Sequence, residues 1–260
     1  MHTVENKYNT IKVHEQRGVC YLQIYRPESA NSINGTLIEE MMTVLHLLEK
    51  DPTIKVVVLE GLPDNFCTGM DFTAISNGMT DAIAADDPNG FYEMLKWFSL
   101  CPQVIISKVE GRVNAGGIGL IAASDIVIAD KKAIFSLSEA LFGLLPACVM
   151  PFLIRRIGYQ KAQWMTLTTQ SLTAEQAYQI NLIDELTTNV NDMLRRNLLR
   201  LQRLDTDTIK NLKDYMSRLW IINQDTQQLA VDKISALVCT EKVQTNIKNF
   251  VQNGKFPWDK

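Results

Sequence analysis

The sequence predicts an α/β fold with a helical carboxyl-terminal region, and three observations predict it. The runs at 55–60 and 104–109 are short and rich in β-branched residues, the pattern of strands buried on both faces of a parallel sheet. Strand-like and helix-like segments alternate as far as residue 129, the rhythm of right-handed βαβ crossovers. Beyond residue 137 helical periodicity takes over almost throughout.

Two β-type runs open the chain, at 10–15 and 19–25, with Gln16-Arg17-Gly18 as the turn. Pro27 ends the second, because proline cannot donate to a continuing ladder. A helix spans about 35–50, with Leu37, Met41, Val44, Leu45 and Leu48 at three-to-four spacing. The strand at 55–60 follows, and 61–69 reads as a loop. The stretch 77–89, with Asp81, Asp86 and Asp87 among alanines, reads as a mobile loop. After the strand at 104–109, a helix begins near Gly116 and leads to a strand at 125–129. Helical segments are predicted at 146–157, 159–169, 173–180, 190–203, 205–222 and 224–238. Residues 1–200 form the core, and 201–260 form a helical region of the same domain that packs on a neighbouring subunit.

Composition excludes more than it identifies. The 260 residues are 46% apolar and 21% charged, enough for one large core without a disulfide or metal staple. A net charge of −3 argues against nucleic-acid binding, and no apolar run is long enough to span a membrane. Five scattered cysteines without a C-x-x-C pair read as reduced thiols in a cytoplasmic protein. His2, His14 and His46 are the only histidines, which disfavours a histidine-activated nucleophile, and no metal-ligand spacing is present.

Chemistry is concentrated in two glycine-bearing loops, Phe66-Cys-Thr-Gly-Met-Asp71 and Asn114-Ala-Gly-Gly-Ile-Gly119. Neither has dinucleotide or P-loop spacing. Loops of this kind either point unpaired backbone N–H groups at an oxyanion or simply permit tight turns. Further along, Ser136-x-x-Glu139 reads as a helix-start box, with Glu139 satisfying backbone donors.

These loops, with Ser124–Ala129, Phe135–Glu139 and Leu144-Leu145-Pro146, resemble in order and spacing the crotonase (enoyl-CoA hydratase/isomerase) superfamily. The resemblance covers essentially the whole chain. It implies the crotonase fold, a spiral of repeated ββα units, assembled as trimers or paired trimers. It also implies acyl-thioester substrates whose enolate is held by the N–H groups of Met70 and Gly116, with no cofactor beyond a phosphopantetheine arm. The segment 136–149 and the terminal Gly254-Lys-Phe-Pro-Trp258 are similar to the PksH-type dehydratases of polyketide β-branching. That similarity implies removal of water from 3-hydroxy-3-methylglutaryl on an acyl carrier protein.

One departure has mechanistic weight. Enoyl-CoA hydratases of this superfamily place two glutamates about the water, and here Gly119 stands where the first belongs. Glu139, matching the second, is then the sole general acid/base, which a syn elimination permits. Gly119 equally keeps open an inactive carrier-binding subunit, and a decarboxylase or isomerase is a third reading. Asn114 and Tyr92 are candidates to hydrogen-bond the substrate, Asn114 being equally a helix cap. Arg112 and Lys96 are candidates to receive its distal carboxylate, or are surface charges. Cys67 reads as packing, and Arg155 with Arg156 as a surface or interface pair.

Overall fold

The computed structural model describes residues 8–71, 87–220 and 222–259. The predicted loop at 77–89 therefore lies outside the described residues up to position 86, and Asp87–Asn89 open a helix instead.

After an opening hairpin whose two strands both join the larger sheet, each repeat of the chain gives one strand to each of two sheets. The larger sheet holds β1 (Ile11–Gln16), β2 (Val19–Ile24), β3 (Val56–Glu60), β5 (Val104–Val109), β7 (Ile126–Asp130) and β10 (Glu185–Thr187), in the order β1-β2-β3-β5-β7-β10. The smaller holds β4 (Asn65–Cys67), β6 (Arg112–Asn114), β8 (Ile134–Ser136) and β9 (Leu172–Thr173), in that order. Strands β3 and β4 lead to helix α2 (Pro88–Leu100), and β5 and β6 lead to α3 (Gly116–Ala123). This is a ββα spiral. All pairings of the larger sheet are parallel except β1 with β2.

Alternation along the parallel strands builds two cores. Val57, Leu59, Ile105 and Val127 face α1 (Gly35–Glu49), α2 and α3, while Val56, Val58, Ile106 and Ile128 face the other way. The second face is covered by Val190 and Leu194 of α7 (Val190–Leu201) and Ile209 of α8 (Thr206–Arg218). Between these regions lie α4 (Met150–Ile157), α5 (Tyr159–Thr168) and α6 (Ala174–Gln179).

The carboxyl-terminal helices dock on their own chain. Lys213 of α8, only 8% exposed, donates to Asp125 Oδ2 at 2.7 Å and to the Gln103 carbonyl at 2.9 Å. Gln227 of α9 (Gln224–Val238) donates to Asn89 and Glu93 on α2. A last helix, α10 (Glu241–Asn253), is absent from the sequence prediction. Two predicted helices are shorter than their periodicity. Residues 147–149 form a turn, so α4 starts only at Met150, and α8 ends at Arg218. The predicted loop 61–69 contains β4, a strand too short to register as alternation. Among the described residues, no helix is long and apolar enough to cross a membrane.

Candidate active site

The first loop is held flat by its neighbours so that one N–H is left over. Leaving β4, the chain turns at Gly69 (φ +94°) and makes an isolated bridge between Ile33 and Met70. Ile33 N–H donates to the Gly69 carbonyl at 2.7 Å, and Asp71 N–H to the Ile33 carbonyl at 2.8 Å. The Met70 N–H between them has no acceptor among the described residues. The loop is braced from behind by the Arg26 guanidinium, 3.0 Å from Asp71 Oδ2. Buried Asn31 donates to the carbonyls of Ile24, Asn65 and Phe66.

The second loop delivers another free N–H by backbone strain. Ala115 sits at φ 49°, ψ −116°, a region that costs a residue with a Cβ about 1–3 kcal/mol, and so turns β6 sharply into α3. Gly116 is the first residue of α3, and its N–H has no acceptor among the described residues. The helix dipole adds to the positive potential there. The two loops touch: a Cβ on Gly69 would stand 3.4 Å from Gly116 N and 2.7 Å from Ala115 Cβ. The far end of α3 is held by Arg155 and Arg156, which donate to the carbonyls of Ala122, Ala123 and Ser124. Of the surface or interface reading of those arginines, the surface alternative is corrected: both are half-buried.

Glu139 enters from a third element, a 3₁₀ turn (Glu139–Phe142) that follows β8. The capping box is not formed: Ser138 is the N-cap and no side chain caps the turn. The Ser136 hydroxyl donates instead to Asn114 Oδ1 at 2.8 Å. Glu139 is half-buried as a residue, yet its Oε2 is enclosed and has no partner among the described residues. Desolvation pushes its carboxyl up to about 7, against a smaller downward pull from the N–H groups of Glu139 and Ser138.

Met70, Gly116 and Glu139 line one cavity of about 90 Å³. Its other walls are apolar, including Phe91, Leu144, Val149 and, from α9, Ile234 and Val238. Where a second carboxylate would start, at Gly119, the space is already filled. A Cβ there would meet Val149 Cγ2 at 3.0 Å, Leu95 Cδ1 at 3.1 Å and Phe91 Cζ at 3.3 Å.

The weaker candidates divide. Asn114 ties β6 to β8 through Ser136 and Ser138, and does not cap α3, whose N-cap is Ala115. Tyr92 is fully buried on α2 against Phe152, its hydroxyl without a partner among the described residues. Arg112 and Lys96 are not brought to the cavity. Arg112 is exposed beside a different hollow with Asp64 and Glu110, and Lys96 faces Gln227 and Glu93. Cys67 is packing as expected, its carbonyl 2.6 Å from where a Cβ on Gly117 would stand. Burial pushes its thiol up to about 12. The supports at Arg26, Asn31 and Ala115, and the α9 wall, carry no local sequence signal, since each depends on contacts distant in the chain.

Comparison with known proteins places the chain in a family. The family model for enoyl-CoA hydratase/isomerase matches residues 14–260. The chain is 45% identical over 259 residues to the bacillaene synthase dehydratase PksH of Bacillus subtilis (strain 168), spanning 97% of each. It is 27% identical over 255 residues to hydroxycinnamoyl-CoA hydratase-lyase of Pseudomonas fluorescens, spanning 93% of this chain and 91% of that one. The crystal structure of B. subtilis PksH superposes with a TM-score of 0.91 at 44% identity, covering 96% of this chain and 100% of that one. The chain therefore belongs to the enoyl-CoA hydratase/isomerase family, has the crotonase fold, and within that family is PksH-like.

Proposed function

We propose that this protein dehydrates 3-hydroxy-3-methylglutaryl carried on the phosphopantetheine arm of an acyl carrier protein, giving the 3-methylglutaconyl thioester. The relative PksH is a dehydratase of bacillaene synthase, which supports the reaction class and the polyketide setting. The thioester carbonyl oxygen accepts from the N–H groups of Met70 and Gly116. Glu139 takes the α-proton as a carboxylate, the enolate charge passes to the carbonyl oxygen, and the new carboxylic acid protonates the departing hydroxyl. One group serves both transfers because, in a syn elimination, proton and hydroxyl leave from the same face. Losing one oxyanion donor of this kind typically costs about 2.7–4 kcal/mol.

The observation that carries the reading is the pairing of a single raised carboxyl with two free N–H groups, in a cavity that has no second acid among its described lining. No cofactor is needed for these steps. The described lining holds no cation, and residues 72–86 include no Lys, Arg or His. Among the described lining, then, only neutral donors are offered to the substrate's distal carboxylate. Leu212, Tyr215 and Met216 of α8, with Leu219 just past its end, are exposed and form the face we assign to packing between copies of a trimer. Sedimentation of a Leu212→Glu, Met216→Glu variant, expected as monomer, tests that assignment.

The reaction is tested by intact-mass analysis of the carrier. Incubation with the hydroxymethylglutaryl thioester is expected to remove the mass of one water. Loss of carbon dioxide from the dehydrated thioester would instead indicate a decarboxylase. Binding without product at high enzyme concentration would indicate a carrier-binding subunit.

A further inference from the structure

The 3₁₀ turn that begins at Glu139 is four residues long, too short to hold its own geometry. Its first carbonyl accepts from the N–H of Leu144 at 3.1 Å, closing the turn through Gly143 at φ +83°. A large part of what packs on its outer side comes from the last twenty residues of the same chain.

Asn246 of α10 donates from Nδ2 to the Phe142 carbonyl at 3.2 Å. The Phe142 ring lies 5.1 Å from that of Phe250 and 6.1 Å from that of Phe256. Trp258 stacks on Phe256 with centroids 4.9 Å apart and planes 5° from parallel. A Cβ on Gly143 would stand 3.3 Å from Val243 Cγ2, so α10 is seated directly on the end of the turn. Leu144 and Val238 belong both to this cluster and to the cavity wall. In a 3₁₀ turn, residues three apart share one side, so Phe142 sets the rotation of the turn that Glu139 starts.

We infer that Asn246 and Phe256 are positioning residues that hold the Glu139 carboxyl in the cavity, Asn246 through the Phe142 carbonyl and Phe256 through the Phe142 ring. The Gly254-Lys-Phe-Pro-Trp258 tail thereby has a purpose. Gly254, at φ +65°, ends α10 and turns the chain so that Phe256 and Trp258 fold back on the cluster. This inference rests on the reading of Glu139 as the acid/base. Neither residue lines the cavity or is within reach of the reacting atoms. The only other titratable side chain in the described lining is Cys148.

The test uses Asn246→Leu, Phe256→Ala and Phe256→Tyr in the full chain, with thermal unfolding to confirm the fold. Carbon-13 labelling of glutamate carboxyls, with Glu139→Gln to assign the signal, reads the ionisation of Glu139 without substrate. Asn246→Leu and Phe256→Ala are expected to move that ionisation from about 7 towards 4.5 as water reaches the carboxyl, and Phe256→Tyr to restore it. With the carrier-bound substrate, kcat is expected to fall about 10–100-fold while KM stays within about twofold. Folded variants with unchanged ionisation and unchanged kcat overturn the inference. If Phe256→Ala does not fold, Asn246→Leu alone decides it. A wild-type enzyme that dehydrates nothing would overturn the proposed function, and the labelled carboxyl would still report on the positioning.

Discussion

Gly69 and Gly116 face each other where the two loops touch, and at Gly69 the contact admits no side chain. A Cβ on Gly116 would stand 3.7 Å from Gly69 Cα and 3.0 Å from Ile33 Cδ1, and one on Gly69 would meet Ala115 Cβ at 2.7 Å. Two chain segments 47 residues apart are thus pressed together at their backbones, as the proposed sharing of one oxygen by two N–H groups requires.

Gly69→Ala tests that contact. The variant places a Cβ at φ +94° and into Ala115 at once, so the loop must shift and one donor is lost. We expect kcat/KM to fall about 100–1,000-fold with the fold retained, read by steady-state kinetics and circular dichroism. Activity near wild type would mean that the two loops do not act on one oxygen.

The raised Glu139 carboxyl sets the pH dependence. The base must be ionised, so kcat/KM is expected to rise with pH through about 7 and then level. The sign for stability is opposite. A carboxyl whose folded value lies above 4.5 favours the protonated fold, and this advantage, complete below 4.5, is lost as pH rises through about 7. Glu139→Gln should therefore gain stability over wild type at pH 8 and lose that gain by pH 4, measured as urea midpoints. A gain independent of pH would contradict the burial of the carboxyl.

Gly119→Glu is expected to restore no second acid. Its side chain has to displace Val149, Leu95 and Phe91 and bury a carboxyl among them, at a cost of about 3 kcal/mol or more. Urea unfolding reads the loss, and a stable variant that hydrates enoyl thioesters would contradict it.

Lys213 anchors α8 on the sheet through Asp125 and the Gln103 carbonyl. Removing it as Lys213→Ala leaves Asp125 facing a buried gap. Because that carboxylate is 28% exposed, the expected loss is about 2 kcal/mol, below the range for fully buried pairs. A cycle with Asp125→Asn apportions the pair. A loss under about 0.5 kcal/mol would place α8 among elements held by apolar contacts alone.

Legibility in the sequence followed distance along the chain. The strands at 56–60 and 104–109 were visible because their β-branched runs need no partner to be recognised. The loop glycines and Glu139 were found by their motif. The short strands β4, β6 and β8 were not, because three residues cannot display a period. The strain at Ala115 was hidden because alanine carries no signal of an unusual φ, and Asn31 and Asn246 act on carbonyls remote from them. Arg112 misled for a related reason. It stands two residues from Asn114 in sequence but points from a strand edge to solvent.

The most direct test of the account is a single-turnover comparison of wild type and Glu139→Gln on the carrier-bound hydroxymethylglutaryl thioester, read as intact carrier mass at pH 8. The account predicts loss of one water with wild type and a reduction of at least about 1,000-fold in that rate for Glu139→Gln, since the other titratable side chain in the described lining, Cys148, is a thiol that burial pushes up to about 12. Near-normal dehydration by Glu139→Gln would contradict it.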